Sequence, residues 1–225
     1  MSTALTRFNL GVDHWEQIPA TPEDYQRLLD ERGEKSRPKY TFVDGRLTIV
    51  SPGHSHESIK RRLANFIEDI LMILDVDYHP AGSVTLFTGP GTRTGVEADE
   101  TYYLTNLDRV VDVENLVMGV DPAPDLVVEV VVTHPEGDAL KAYAIFGVRE
   151  VWVVKNSGLV FLTLNAAGRY EPTSTSVVLP FLLGSDELTP WLFLQGSASA
   201  VPLRRRFQTW VTETLVPRRR VVQED

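Results

Sequence analysis

The chain contains no cysteine in its 225 residues. Disulfides, thiolate metal sites and a cysteine nucleophile are thereby excluded. Long apolar runs are also missing, and none approaches the roughly 20 residues that would span a bilayer. The opening segment, Met1 to Pro19, lacks the long apolar core of a signal peptide. A cytoplasmic protein with no membrane partner is the expectation. Positive charge is scarce: 22 Lys and Arg stand against 31 Asp and Glu, for a net charge of −9. That balance works against broad phosphate binding, which needs clustered Lys and Arg. Two basic runs, Arg204-Arg205-Arg206 and Arg218-Arg219-Arg220, are the exceptions. They read as a solvated face and a tail, with a local basic patch as the alternative. No GxSxG elbow, P-loop or HExxH helix occurs, and no internal repeat or low-complexity linker breaks the chain.

What is present has ordinary globular proportions, 43% apolar and 24% charged. The length suits a single domain over residues 1–225, with a loose segment over 1–20 and closing helices and a tail over 185–225. Thr21-Pro22-Glu23-Asp24 predicts a helix start, with Thr21 as N-cap, Pro22 in the first turn and Asp24 closing a capping-box-like pattern. That helix runs to about Arg32. Asp44-Gly45 between Tyr40–Val43 and Arg46–Val50 predicts a hairpin. Ile59, Leu63, Phe66, Ile70 and Leu74 recur at steps of three and four and predict a long helix from about Ser55 to Leu74. Strands are expected at Val84–Phe87 and Gly95–Leu104, flanking a Gly-rich loop. Leu126 to Val132 is a nearly unbroken apolar run, as in a strand covered on both faces. A helix over about Glu136–Phe146 ends at Gly147. Strands at Val148–Val154 and Leu159–Leu164 follow, with shorter ones near Arg169–Glu171 and Ser176–Leu179. Closing helices are expected over Asp186–Leu194 and Leu203–Leu215. The sum is an α/β fold, a mixed β-sheet flanked by helices, with an N-terminal helix and hairpin.

Three carboxylates stand out against this background. Glu97 and Asp99 are two apart on an expected strand, so both point to one face. Two carboxylates that close repel unless a cation sits between them or one is protonated. A solvated sheet face is the plainer reading of that strand. Glu129 is harder to dismiss, because it lies inside Leu126-Val-Val-Glu-Val-Val-Val132. A charge buried there needs a salt-bridge partner or a metal. Hard cations such as Mg²⁺ prefer carboxylate oxygens, and can activate water and stabilise a phosphodiester transition state. Asp125 is roughly 13 Å along the strand from Glu129 and reads as the lead-in to that strand. The histidines of Gly53-His-Ser-His56 are either metal ligands or helix-start chemistry.

In their order and spacing these segments resemble the Uma2 (DUF820) family of the PD-(D/E)XK nuclease superfamily. The resemblance spans about Tyr40 to Tyr170. It rests on Phe42-Val-Asp-Gly-Arg-Leu47, Ser51-Pro-Gly-His-Ser-His-Glu57, Gly95-Val-Glu-Ala-Asp-Glu-Thr-Tyr-Tyr103, Pro124-Asp-Leu-Val-Val-Glu129 and Tyr143-Ala-Ile-Phe-Gly-Val-Arg-Glu-Val-Trp152. It implies a restriction-endonuclease-like fold in which Asp99 and Glu129 hold Mg²⁺ or Mn²⁺, with Glu97 beside them and His56 and Glu57 at the edge. The superfamily's lysine, two residues after the second acid, is replaced here by Val131. In the usual Uma2 helix a lysine precedes the tyrosine by about four residues, and that position is Ala139. Lys141 is the substitute the helix offers, although it lies roughly 200° around it. Lys60 is a second candidate. By resemblance the activity is metal-dependent endonucleolytic cleavage of DNA, leaving a 5′-phosphate, by a homodimer. The alternative is a catalytically degenerate nuclease fold acting as a nucleic-acid-binding or protein-interaction module, and Val131 favours it. An unrelated hydrolase is the third class.

Overall fold

The computed structural model describes residues 14–193 and 199–219, apart from 34, 36, 90 and 133. In chain order the strands and helices begin with β1 (His14–Pro19), α1 (Pro22–Arg32), β2 (Lys39–Val43), β3 (Arg46–Ser51) and α2 (His54–Ile73). Four short strands follow: β4 (His79–Pro80), β5 (Thr85–Phe87), β6 (Thr94–Glu97) and β7 (Glu100–Tyr103). Then come β8 (Leu126–Val130), α3 (Gly137–Phe146), β9 (Glu150–Lys155), β10 (Gly158–Leu164) and β11 (Tyr170–Thr173). Helices α4 (Thr189–Leu192) and α5 (Ala200–Trp210) come last, and a π-helical turn over Val211–Leu215 extends α5. No helix among the described residues is long and apolar enough to cross a membrane.

Local chemistry sets the early elements. Thr21 caps α1 through the Asp24 amide, and the Asp24 carboxylate returns the bond to the Thr21 amide, a reciprocal capping box. Asp44 and Gly45 take φ of 50° and 72°, the left-handed pair that a two-residue hairpin requires, so Val43 faces Arg46. In α2 the apolar stripe buries Leu63, Phe66, Ile67 and Ile70. The sequence reading placed residues 1–20 outside regular structure. The structure corrects this for His14–Pro19, which pair antiparallel with β3. The rest of that segment lies outside the described residues.

Two sheets form where one was expected. The first is antiparallel, in the order β1-β3-β2-β6-β5. The second has the order β11-β10-β9-β8-β7-β4, with β8 and β9 parallel. The strand expected from Gly95 to Leu104 is split between them. It pairs with β2 and β5 as β6, and with β4 and β8 as β7. Ala98 and Asp99 make the crossing. The Ala98 amide bonds to the Val84 carbonyl, and Ser83 Oγ donates to the Asp99 carbonyl at 2.7 Å, so neither residue continues a ladder.

Residues of β8 alternate between two cores. Leu126, Val128 and Val130 pack with α2 and α5, beside Trp152, Phe161 and Phe207. Val127 and Val131 face the opposite way, with Ala142 and Tyr143 of α3 and with Val96 and Ala98 from the β6 end of the first sheet. A third cluster, including Tyr25, Phe42, Leu47 and Ile49, seats α1 on the first sheet. Residues 176–179 are not the strand expected there. They wrap the fully buried carboxylate of Glu150, whose Oε2 accepts from Ser176 Oγ and from the amides of Val177 and Val178. Its Oε1 accepts from Trp152 Nε1 at 2.6 Å. The expected helix over Asp186–Leu194 is shorter, a 3-10 turn at Ser185–Glu187 followed by α4. Residue 194 lies outside the described residues.

Candidate active site

The crossing between the sheets sets the site. Glu100 of β7 pairs with Val128 of β8, which brings Asp99 opposite Glu129. Both carboxylates are buried, at 1% and 6% exposure. Asp99 Oδ2 accepts the Val130 amide at 2.7 Å and faces His56 Nε2 at 3.1 Å. Asp99 Oδ1 is paired with Lys39 Nζ, which also donates to the Ala98 carbonyl at 2.9 Å. Glu129 Oε1 accepts the Tyr143 hydroxyl from α3. The two carboxyl groups line the same small cavity.

These surroundings push the two acids apart. Burial alone would raise the Asp99 carboxyl, but Lys39 and His56 together hold it far below the usual carboxylate range. Glu129 goes the other way, to about 8, first because burial disfavours its charge and then because of the negative charge on Asp99. Of the two, Glu129 is therefore the one that holds its proton more readily. Burial opposes the charge on Lys39, yet the carboxylates of Asp99 and Glu129 more than offset it and raise its pKa. His134 lies near the pair, and burial lowers its pKa.

A cavity of about 30 Å³ opens on the pair, room for little more than one water or one small ion. Its walls include Lys39 and Thr41 of β2, His56, Asp99, Glu129 and Ala139 of α3. Among the described residues no group of three His, Asp or Glu could by itself hold a metal ion. Two carboxylates and water suffice for Mg²⁺, which keeps several waters and takes one or two carboxylates. The donor chemistry here fits that requirement.

The other residues singled out from sequence lie at unequal distances from this pair. Glu97 is on the cavity wall, but its oxygens are committed to Arg32, to the Tyr40 amide at 2.6 Å and to Thr85 Oγ1 at 3.2 Å. The ladder breaks between Glu97 and Asp99, yet both side chains still line the same cavity while Val96 and Ala98 pack on the other side. His56 is buried against Asp99, as a helix-start histidine can be. Glu57 sits outside it, 3.1 Å from Lys60 and 3.9 Å from Arg37. Lys60 also reaches Ser83 Oγ at 3.3 Å. Lys141 is not brought to the carboxylates. It is half exposed and paired with Asp44 of the hairpin turn. Its offset around α3 explains this: Ala139 faces the cavity and Lys141 faces away.

Sequence reasoning missed Lys39 and gave no role to Tyr143 or His134. For Lys39 a signal existed. Tyr40 and Phe42 bury on one face of β2, so Lys39 and Thr41 must share the other.

The architecture defines a class before it defines a family. A crystal structure of a "putative nuclease belonging to DUF820" from Anabaena variabilis ATCC 29413 matches with a TM-score of 0.53 and 13% identity, covering 78% of this chain and 100% of that one. At that identity the likeness speaks for the fold alone, a mixed α/β arrangement of two sheets and helices. The family follows from the sequence itself. Residues 22–201 match the Uma2 family model, described as "Putative restriction endonuclease", and the chain belongs to that family. No curated protein matches it.

Proposed function

We propose that this chain is a metal-dependent endonuclease that hydrolyses DNA phosphodiester bonds at Asp99 and Glu129. The observation that supports this reading best is the meeting of two buried carboxylates on adjacent strands, beside a lysine, in an ion-sized cavity. Asp99 and Glu129 are the residues that would hold Mg²⁺ or Mn²⁺, which when bound supplies an activated water and charge to offset the phosphodiester transition state. His56 and the Val130 amide fix Asp99, and Tyr143 fixes Glu129. Val131 and Ala142 belong to the apolar packing behind the pair, which keeps bulk water out. On this reading Glu97 braces the cavity wall, Glu57 and Lys60 shape its rim, and Lys141 takes no part. The reading extends to a homodimer, as the family resemblance implies, and to a cytoplasmic location, the expectation from the sequence.

Cleavage of supercoiled plasmid tests it. Cleavage is expected with Mg²⁺ or Mn²⁺, is abolished by EDTA, and falls by at least about 100-fold in Asp99→Asn and Glu129→Gln. Cleavage in EDTA, or at the wild-type rate in both variants, refutes the assignment. Failure with every divalent ion favours the non-catalytic alternative, a reading that the apolar Val131 supports.

A further inference from the structure

Lys39 on β2 and Ala139 on α3 both line the cavity, and of these two only Lys39 carries charge. The other positions that could have supplied a cation do not. Val131, two residues past Glu129, is apolar and packed in the core. Lys141 is engaged with Asp44 at the surface, and Lys60 with Glu57 and Ser83. The Lys39 ammonium sits on Asp99 Oδ1 and on the Ala98 carbonyl. An ammonium has three donors, and among the described residues these acceptors take two. The third can serve an oxygen within the cavity. The side chain is 13% exposed, so water screens it little.

We propose that Lys39 is the resident cation of this site: it holds the place on Asp99 that a divalent ion would contest, and it is the positive charge presented to a phosphate oxygen in the cavity. The second half rests on the nuclease reading, whereas the first half does not. The two halves predict opposite effects of removing the charge. Without the ammonium, Asp99 is open to a divalent ion and binds it more tightly. Without it, a phosphate loses its nearest protein cation and reacts more slowly. A lysine that only supported the fold would weaken both properties or neither.

The test compares wild type, Lys39→Met and the double variant Lys39→Met/Ala139→Lys, which moves the charge to another lining position of the same cavity. Mg²⁺ binding is read by titration calorimetry and turnover by plasmid cleavage. Lys39→Met should bind Mg²⁺ on the order of tenfold more tightly, since no buried ammonium competes for Asp99. It should cleave at least about 100-fold more slowly, the usual cost of one lost charge donor. The double variant should regain much of the cleavage, and it keeps the charge balance of the cavity should the single variant fold poorly. Unchanged or weaker Mg²⁺ binding in Lys39→Met overturns the proposal, and so does cleavage at the wild-type rate. No Mg²⁺ binding by any of the three proteins overturns both this proposal and the nuclease reading. If wild type cleaves nothing while Lys39→Met still gains Mg²⁺ affinity, the nuclease reading falls and the place of Lys39 as competing cation stands.

Discussion

Replacing Glu150 probes how the second sheet is held, independently of the site. This side chain is fully buried, and four donors converge on it. Oε2 takes Ser176 Oγ at 3.2 Å and the amides of Val177 and Val178 at 2.7 and 2.9 Å, while Oε1 takes Trp152 Nε1. In Glu150→Gln the amide oxygen can keep the three donors at the Oε2 position. The new NH₂ group then faces the indole N–H, and one donor is orphaned, at a cost of about 1–3 kcal/mol. In Glu150→Ala all four donors lose their acceptor and a void opens, so the cost is about 3–5 kcal/mol. That is a large share of the roughly 5–15 kcal/mol that holds a typical domain folded. Urea unfolding followed by tryptophan fluorescence reads both variants. The order, Ala well below Gln and Gln below wild type, follows from the donor count. An alanine variant within about 1 kcal/mol of wild type, or a glutamine variant as damaged as alanine, would refute the reasoning. Glu150 pairs with Leu126 at the opposite end of β8 from Glu129, so a folded glutamine variant should keep its metal affinity.

In EDTA the wild-type protein should be less stable at pH 8 than at pH 5. The folded pKa of Glu129 is raised from 4.5 to about 8, so its contribution is fully present below the unfolded value and is lost as pH climbs through the folded one, at no more than about 1.4 kcal/mol per pH unit. Glu100 and His134 are also shifted, so the measurement is the difference from Glu129→Gln by denaturation at each pH; identical slopes in the two proteins would sink the idea. Lys141→Ala should leave stability within about 0.5 kcal/mol and leave cleavage unchanged, because its pair with Asp44 is exposed on both sides. A large loss of plasmid cleavage in that variant would return Lys141 to the site.

Much of the local structure was legible in the sequence because short-range chemistry fixes it. The Thr21–Asp24 capping box, the Asp44-Gly45 hairpin and the apolar stripe of α2 all stand where their patterns put them. The apolar run around Glu129 marked a central strand, since β8 is buried along its whole length. The crossing at Ala98-Asp99 was not legible. Alternation holds from Val96 to Asp99 and lapses at Glu100-Thr101, but nothing local says that the partner strands change there. Lys39 was hidden for a similar reason. Period two puts it on the face opposite Tyr40 and Phe42, but only tertiary packing places that face over Asp99, 60 residues away in sequence. Strand β1 was missed because its pairing with β3 is long-range and its own sequence, His-Trp-Glu-Gln-Ile-Pro, is weakly patterned.

The pairing of Lys39 with Asp99 also has a mechanical side. Lys39 opens a strand of one sheet, and Asp99 stands where the chain steps into the other. The bond is thus a rivet between two plates, set at the point where the candidate chemistry occurs. Sliding the plates apart by the length of one hydrogen bond would break the rivet and spread the cavity, with every strand ladder still intact. Gentle stress on this protein should therefore silence the site first and melt the sheets later.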